Sequence, residues 1–136
     1  MQKNIKITTS IINFFNYDDT IEIQEYIDDY ADILPEEFKP VLEDYAEEDL
    51  LAKAVDYVVK YITDNIEWAG DELDYLSLED GYAVYNMIFK HNGKYYGVAY
   101  TESYDNGTEL EGKARGIEDF PEFEPYTRTH YRPKAK

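Results

Sequence analysis

This 136-residue sequence predicts an α+β fold, with helices first and an antiparallel sheet after them. Three observations lead there. Apolar residues between positions 20 and 65 recur at spacings of three and four, as on one helical face. At Gly81 the pattern changes to runs rich in Tyr, Val and Ile. Between two such runs stands Asn92-Gly93, the dipeptide that most strongly marks a tight hairpin. The expected architecture is about three helices followed by three or four antiparallel strands, two of them joined by that hairpin.

Ile5 and Ile7 alternate as in a strand, while Ser10 would cap a short helix over Ile11, Ile12 and Phe15; the pattern supports either. In the first long helix Ile23, Tyr26, Ile27, Tyr30, Ile33 and Leu34 share a face, with Glu22, Glu25, Asp28, Asp29 and Asp32 opposite. Asp19 with Glu22 resembles a capping pair, and Pro35 either ends this helix or opens the next. Phe38, Val41, Leu42 and Tyr45 make a second stripe, with Glu36, Glu37, Glu43, Asp44 and Glu47 outside it; Pro40 would sever a backbone bond or kink it. The third helix has the clearest pattern. Leu51, Val55, Val58 and Ile62 form one row and Leu50, Ala54, Tyr57 and Tyr61 the next. Glu47, Glu48 and Asp49 lie at its start, where the helix dipole favours negative charge. Its end is expected between Glu67 and Gly70, followed by a loop or short helix over residues 71–80. Residues 82–89 and 94–100 then read as strands joined at His91-Asn92-Gly93. Asp105-Asn106-Gly107 marks a second turn, and residues 127–131 read as a last strand.

The length suits one domain over residues 1–136, able to bury roughly two-thirds of its unfolded surface. Ile, Leu, Val and Phe supply about a quarter of the chain, above the roughly 20% below which chains tend to stay disordered. The lack of cysteine excludes disulfides, thiolate metal sites and thiol nucleophiles, and suits a reducing compartment. With neither a membrane-length apolar run nor a signal-peptide pattern, the expectation is a cytoplasmic protein with no membrane partner.

The net charge of −17 is unevenly placed. Residues 18–80 hold 22 acids against Lys39, Lys53 and Lys60, a net of −19, and form the acidic helical part. Residues 81–136, the β-rich part, balance eight acids with eight bases, four of them in the basic segment 126–136: Arg128, Arg132, Lys134 and Lys136. That segment reads either as a soluble edge or as a strap for the protein's own acidic helices or another copy. Surfaces normally mix the two signs, so the acidic block points to a positively charged partner.

Catalytic candidates are few. His91 falls in a turn, where a histidine is ordinarily exposed, and His130 lies in the last strand between Arg128 and Arg132. Neither has helical spacing to a second ligand, and no glycine-rich loop opens a helix to cradle phosphate. No catalytic residue, metal site or cofactor is assigned. Among the tyrosines, Tyr26, Tyr30, Tyr45, Tyr57 and Tyr61 belong to core stripes, while consecutive Tyr95 and Tyr96 should face opposite sides of a strand.

In size, charge, tyrosine content, lack of cysteine and the 18–80 block, the sequence resembles small acidic inhibitors encoded by bacteriophages, among them anti-CRISPR and anti-restriction proteins that mimic nucleic acid. The stretches "KHNGKYYGVAY" and "YTRTHYRPK" are similar to short phage early proteins of Gram-positive hosts. The resemblance implies a stoichiometric, non-catalytic inhibitor in the host cytoplasm. It would occupy the basic groove of a host nuclease or another nucleic-acid-binding effector and would not bind nucleic acid itself. The surface expected to meet that partner comprises Glu22, Glu25, Asp28, Asp29 and Asp32, extended by Glu36, Glu37, Glu43, Asp44, Glu47 and Glu48. An immunity protein against a cationic nuclease toxin would need the same kind of partner. A small carboxylate-based, metal-dependent enzyme is a third reading.

Overall fold

A computed structural model describes residues 1–43, 47–126 and 131–135. Near the N-terminus both alternatives are realised in succession: strand β1 (Lys6–Ile7) is followed by helix α1 (Thr9–Tyr17). The cap is Thr8, whose side chain accepts from the Ile11 amide, while Ser10 lies buried inside the helix. The long helix expected from Asp19 onward does not form. Helix α2 covers only Ile21–Glu25, and a 3-10 turn (Ile27–Tyr30) follows a break at Tyr26. Like charges three or four apart, such as Glu25 with Asp29 and Asp28 with Asp32, disfavour a continuous helix, and Asp is a weak helix former. Ile23, Ile27 and Tyr30 still bury, but Tyr26 is 51% exposed.

A 3-10 helix covers Glu36–Leu42 after Pro35, with Pro40 inside it; Phe38 and Val41 point into the core. Helix α3 (Glu48–Asn65) buries Ala54, Val55, Val58 and Ile62, as its two rows require. Val55, Val58 and Ile62 each contribute on the order of 1.5–3 kcal/mol by leaving water. Its end falls at Asn65, earlier than expected, because the chain enters a strand.

That strand corrects the sequence reading of residues 71–80. Strand β2 (Glu67–Ser77) runs where a loop or short helix was expected, so the sheet begins inside the acidic block. Strands β3 (Tyr82–His91) and β4 (Lys94–Ser103) follow, with Asn92 and Gly93 between them at φ of 48° and 78°. Both signs match the hairpin turn that such a two-residue loop requires. Strand β5 is Gly107–Leu110, β6 is Arg115–Gly116 and β7 is Glu122–Phe123. The main sheet has five strands rather than three or four: antiparallel order β2-β3-β4-β5, with β7 beside β4. β1 pairs separately with β6.

One face of the sheet carries Ala83, Met87, Phe89, Val98 and Tyr100 against the helices, where Phe15 meets Phe89 edge-on at 5.1 Å. On the other face, β7 lays Phe123 over Gly97, where a Cβ would stand 2.3 Å from the ring. Tyr96 is buried and Tyr95 half-buried on opposite sides. Of the strand expected at 127–131, residues 127–130 lie outside the described residues, and Tyr131 is exposed without regular structure. Among the described residues no helix is long and apolar enough to cross a membrane.

Candidate partner-binding surface

The acidic residues are distributed over several short elements instead of one helical stripe. Glu22 lies in the first turn of α2, half-buried, and Glu25 ends that helix. Asp28 and Asp29 occupy the 3-10 turn, and Asp32 follows in the next turn. Glu36 and Glu37 open the second 3-10 helix, and Glu43 caps its end. Glu47 stands immediately before α3, without a side-chain bond to its first turn, and Glu48 begins it. Except for Glu22 all of these are exposed; Asp44 lies outside the described residues. Alternating helical turns and breaks display the carboxylates in several directions, while Ile23, Ile27, Phe38 and Val41 anchor the segment beneath them.

Of the three lysines in residues 18–80, two are locally engaged. Lys39 Nζ stands 2.9 Å from Glu36 Oε1, and Lys60 Nζ stands 2.8 Å from Asp64 Oδ2. Such exposed pairs contribute little to stability, and each lysine offsets one carboxylate where it stands, so the block keeps its net of −19.

Glu22, Tyr26 and Asp29 also line a groove of about 640 Å³ between the first helices and β5, with Thr9, Asn13 and Glu109 on its walls. Lys6 is its single basic lining residue. An exposed tyrosine ring flanked by carboxylates can receive a guanidinium group through cation–π attraction and charge-assisted hydrogen bonds. Periodicity had assigned Tyr26 to the core. Its place at the break in the helix puts it on the surface.

A second acidic area follows the edge strand. Asp71 is exposed, yet its carboxyl turns back toward Trp68 and Tyr100. Partial desolvation raises its pKa, and the neighbouring charge of Glu102 adds to the rise. The Tyr100 hydroxyl is pushed up to about 12, chiefly by burial and then by Asp71. Tyr85 stacks on Tyr100 with ring centroids 5.4 Å apart. These shifts belong to one group of neighbours, Asp71, Tyr100 and Glu102, on the helix-facing side of the sheet.

His91 does not have the exposed turn position expected for it. The Asn92-Gly93 loop is so short that His91 still belongs to β3, on the same side as Met87 and Phe89, and it is fully buried. Nδ1 donates to the Asn65 carbonyl at 2.7 Å, since a carbonyl can only accept. Nε2 lies 3.1 Å from Glu118 Oε1 and 3.2 Å from Asn92 Nδ2. A neutral ring accepts from Asn92; a protonated ring donates to Glu118. Both nitrogens are thus occupied in holding structure together. His130 lies outside the described residues, and among those described no three His, Asp or Glu side chains gather to hold a metal ion.

No protein-family model matches the chain, and neither a curated protein nor a solved structure shows a significant match to it.

Proposed function

We propose that this protein is a stoichiometric, non-catalytic inhibitor that occupies the basic nucleic-acid groove of a nuclease or another nucleic-acid-handling protein, in the manner of anti-CRISPR and anti-restriction proteins. One observation supports this above the rest. From Glu25 to Glu48 the described carboxylates are all exposed, and the lone cation among them, Lys39, is tied to Glu36. Carboxylates so displayed offer a basic groove the negative charge it otherwise receives from phosphates. The groove at Tyr26 supplies an anchor for an arginine of the partner, a residue type that concentrates binding energy at interfaces.

Reversal of charge tests this reading. The variant E25K/D29K/D32K should lose binding to a partner captured from host lysate at low salt, with its circular dichroism unchanged. Because complementary fields steer encounter, milder neutralisation should slow association more than it speeds dissociation. Free DNA and RNA should not bind at roughly physiological salt. Full partner binding by the folded triple variant would refute the surface, and saturable binding of nucleic acid would refute the mimicry.

A further inference from the structure

The most solvent-exposed regular element of the sheet is β2. It is eleven residues long and stands at the edge, paired among the described strands to β3 alone. Trp68, Leu73, Tyr75 and Leu76 are each about half exposed, at 48%, 55%, 52% and 53%. Their partners in β3 show how they face. Trp68, Leu73 and Leu76 pair with Phe89, Tyr85 and Ala83 on the helix side, whereas Tyr75 pairs with Val84 on the other side. Apolar surface therefore emerges from both faces of a strand whose outer backbone groups have no ladder among the described strands. A long, apolar edge is a template for another strand, and clustered apolar exposure marks an interaction site.

Charge selects the occupant. Glu67, Asp71, Glu72 and Asp74 lie in the strand with no basic residue. A second copy paired edge to edge would set these acids against their counterparts, and like charges opposed across strands destabilise the pair. Two register shifts, between Trp68 and Gly70 and between Leu73 and Tyr75, further hinder a flat self-pairing. Between and beyond them the register is regular over Gly70–Leu73 and Tyr75–Ser77, enough to accept a short strand. Repulsion of like edges is attraction for an oppositely charged one.

We propose that the outer edge of β2 takes up an extended strand of a basic protein partner, in which cationic and apolar side chains alternate, extending the sheet by one strand. Main-chain bonds would supply the pairing, Leu73 and Tyr75 the apolar contact, and Asp71, Glu72 and Asp74 the selectivity. This rests on the reading above only in taking the partner to be a basic protein.

The test uses the whole protein and a capped peptide alternating lysine and valine over about eight residues, near the usual strand length. A control peptide has proline in place of each valine, which keeps the charge but removes ladder donors. At about 0.15 M salt the first peptide should bind saturably, with amide shifts and slowed hydrogen exchange confined to β2, and the proline peptide about tenfold more weakly. The folded variant E72K/D74K should lose the lysine peptide and accept a glutamate–valine one. Equal binding of the two lysine peptides, shifts centred on residues 22–48, or no binding would each overturn the proposal. So would a concentration-dependent dimer joined through β2, which makes the occupant a second copy. Binding seen only with R132E/K134E would overturn it too, by making the chain's own basic segment the occupant. E25K/D29K/D32K should bind the peptide as the parent does, so this test and the earlier one fail independently.

Discussion

At His91 one imidazole ties the end of α3, through the Asn65 carbonyl, to a second part of the chain through Nε2, which meets either Glu118 in the 3-10 turn after β6 or Asn92 in the hairpin turn. Asn65 and Asn92 extend the junction to the N-terminus, since Asn65 Oδ1 accepts from the Lys3 amide at 2.6 Å and Asn92 bonds Gln2 through both backbone and side chain. Replacing His91 with alanine would leave the Asn65 carbonyl buried without its donor and open a cavity. The expected loss is about 3 kcal/mol. Glu118→Ala removes a half-exposed partner and should cost under about 1 kcal/mol. Urea denaturation of the two variants measures the difference; equal, small losses would show that the ring merely fills space. The buried position was hidden from the sequence by the assumption of a three-residue turn. Phe89 and His91, two apart and so on one side of a strand, were the available signal.

Among the elements, Gly97 and Phe123 provide the sharpest test of packing. The outer face of β4 lacks a side chain at Gly97, and the Phe123 ring occupies that space. Gly97→Ala should destabilise the fold by about 1–3 kcal/mol through overpacking, and β7 should be the part displaced. Adding Phe123→Ala should relieve most of that clash, so the double mutant should be markedly less destabilised than the sum of its parents. Additive losses in thermal denaturation would contradict the contact. The same scale shows what periodicity could and could not reveal. α3 was legible because eighteen residues keep one phase and bury one face. β2 was not, because its two bulges shift the phase: Trp68, Asp71, Leu73 and Leu76 face one side at spacings of three, two and three. Strict alternation is absent although the strand is continuous. The segment around Tyr26 failed differently, since its apolar spacing is helical while the acids around it resist a long helix.

Across the whole molecule, the field of the acidic surface acts on stability. With a net charge of −17, the folded state brings like charges closer than the unfolded chain does. Raising salt from about 0.02 M to about 0.5 M shortens the screening length severalfold. A relief of about 1 kcal/mol would raise the melting temperature by about 4 °C, and calorimetry over that range measures it. A melting temperature that falls or stays level would mean that attractive pairs outweigh the crowding. The acidic surface was visible in the sequence as composition, because a block of 22 acids needs no fold to be noticed. Its division among turns, and the exposed edge beside it, required the chain path. The pairing of β1 with β6 bears on how that path is reached. Lys6 and Ile7 stand opposite Gly116 and Arg115, and the Ile117 amide donates to the Ile5 carbonyl at 2.8 Å. Residues made early in synthesis must wait for residues made more than a hundred positions later before Ile5 and Ile7 can be enclosed. Such distant closure slows folding, so a nascent chain halted before residue 115 would display its carboxylates on an unfinished support.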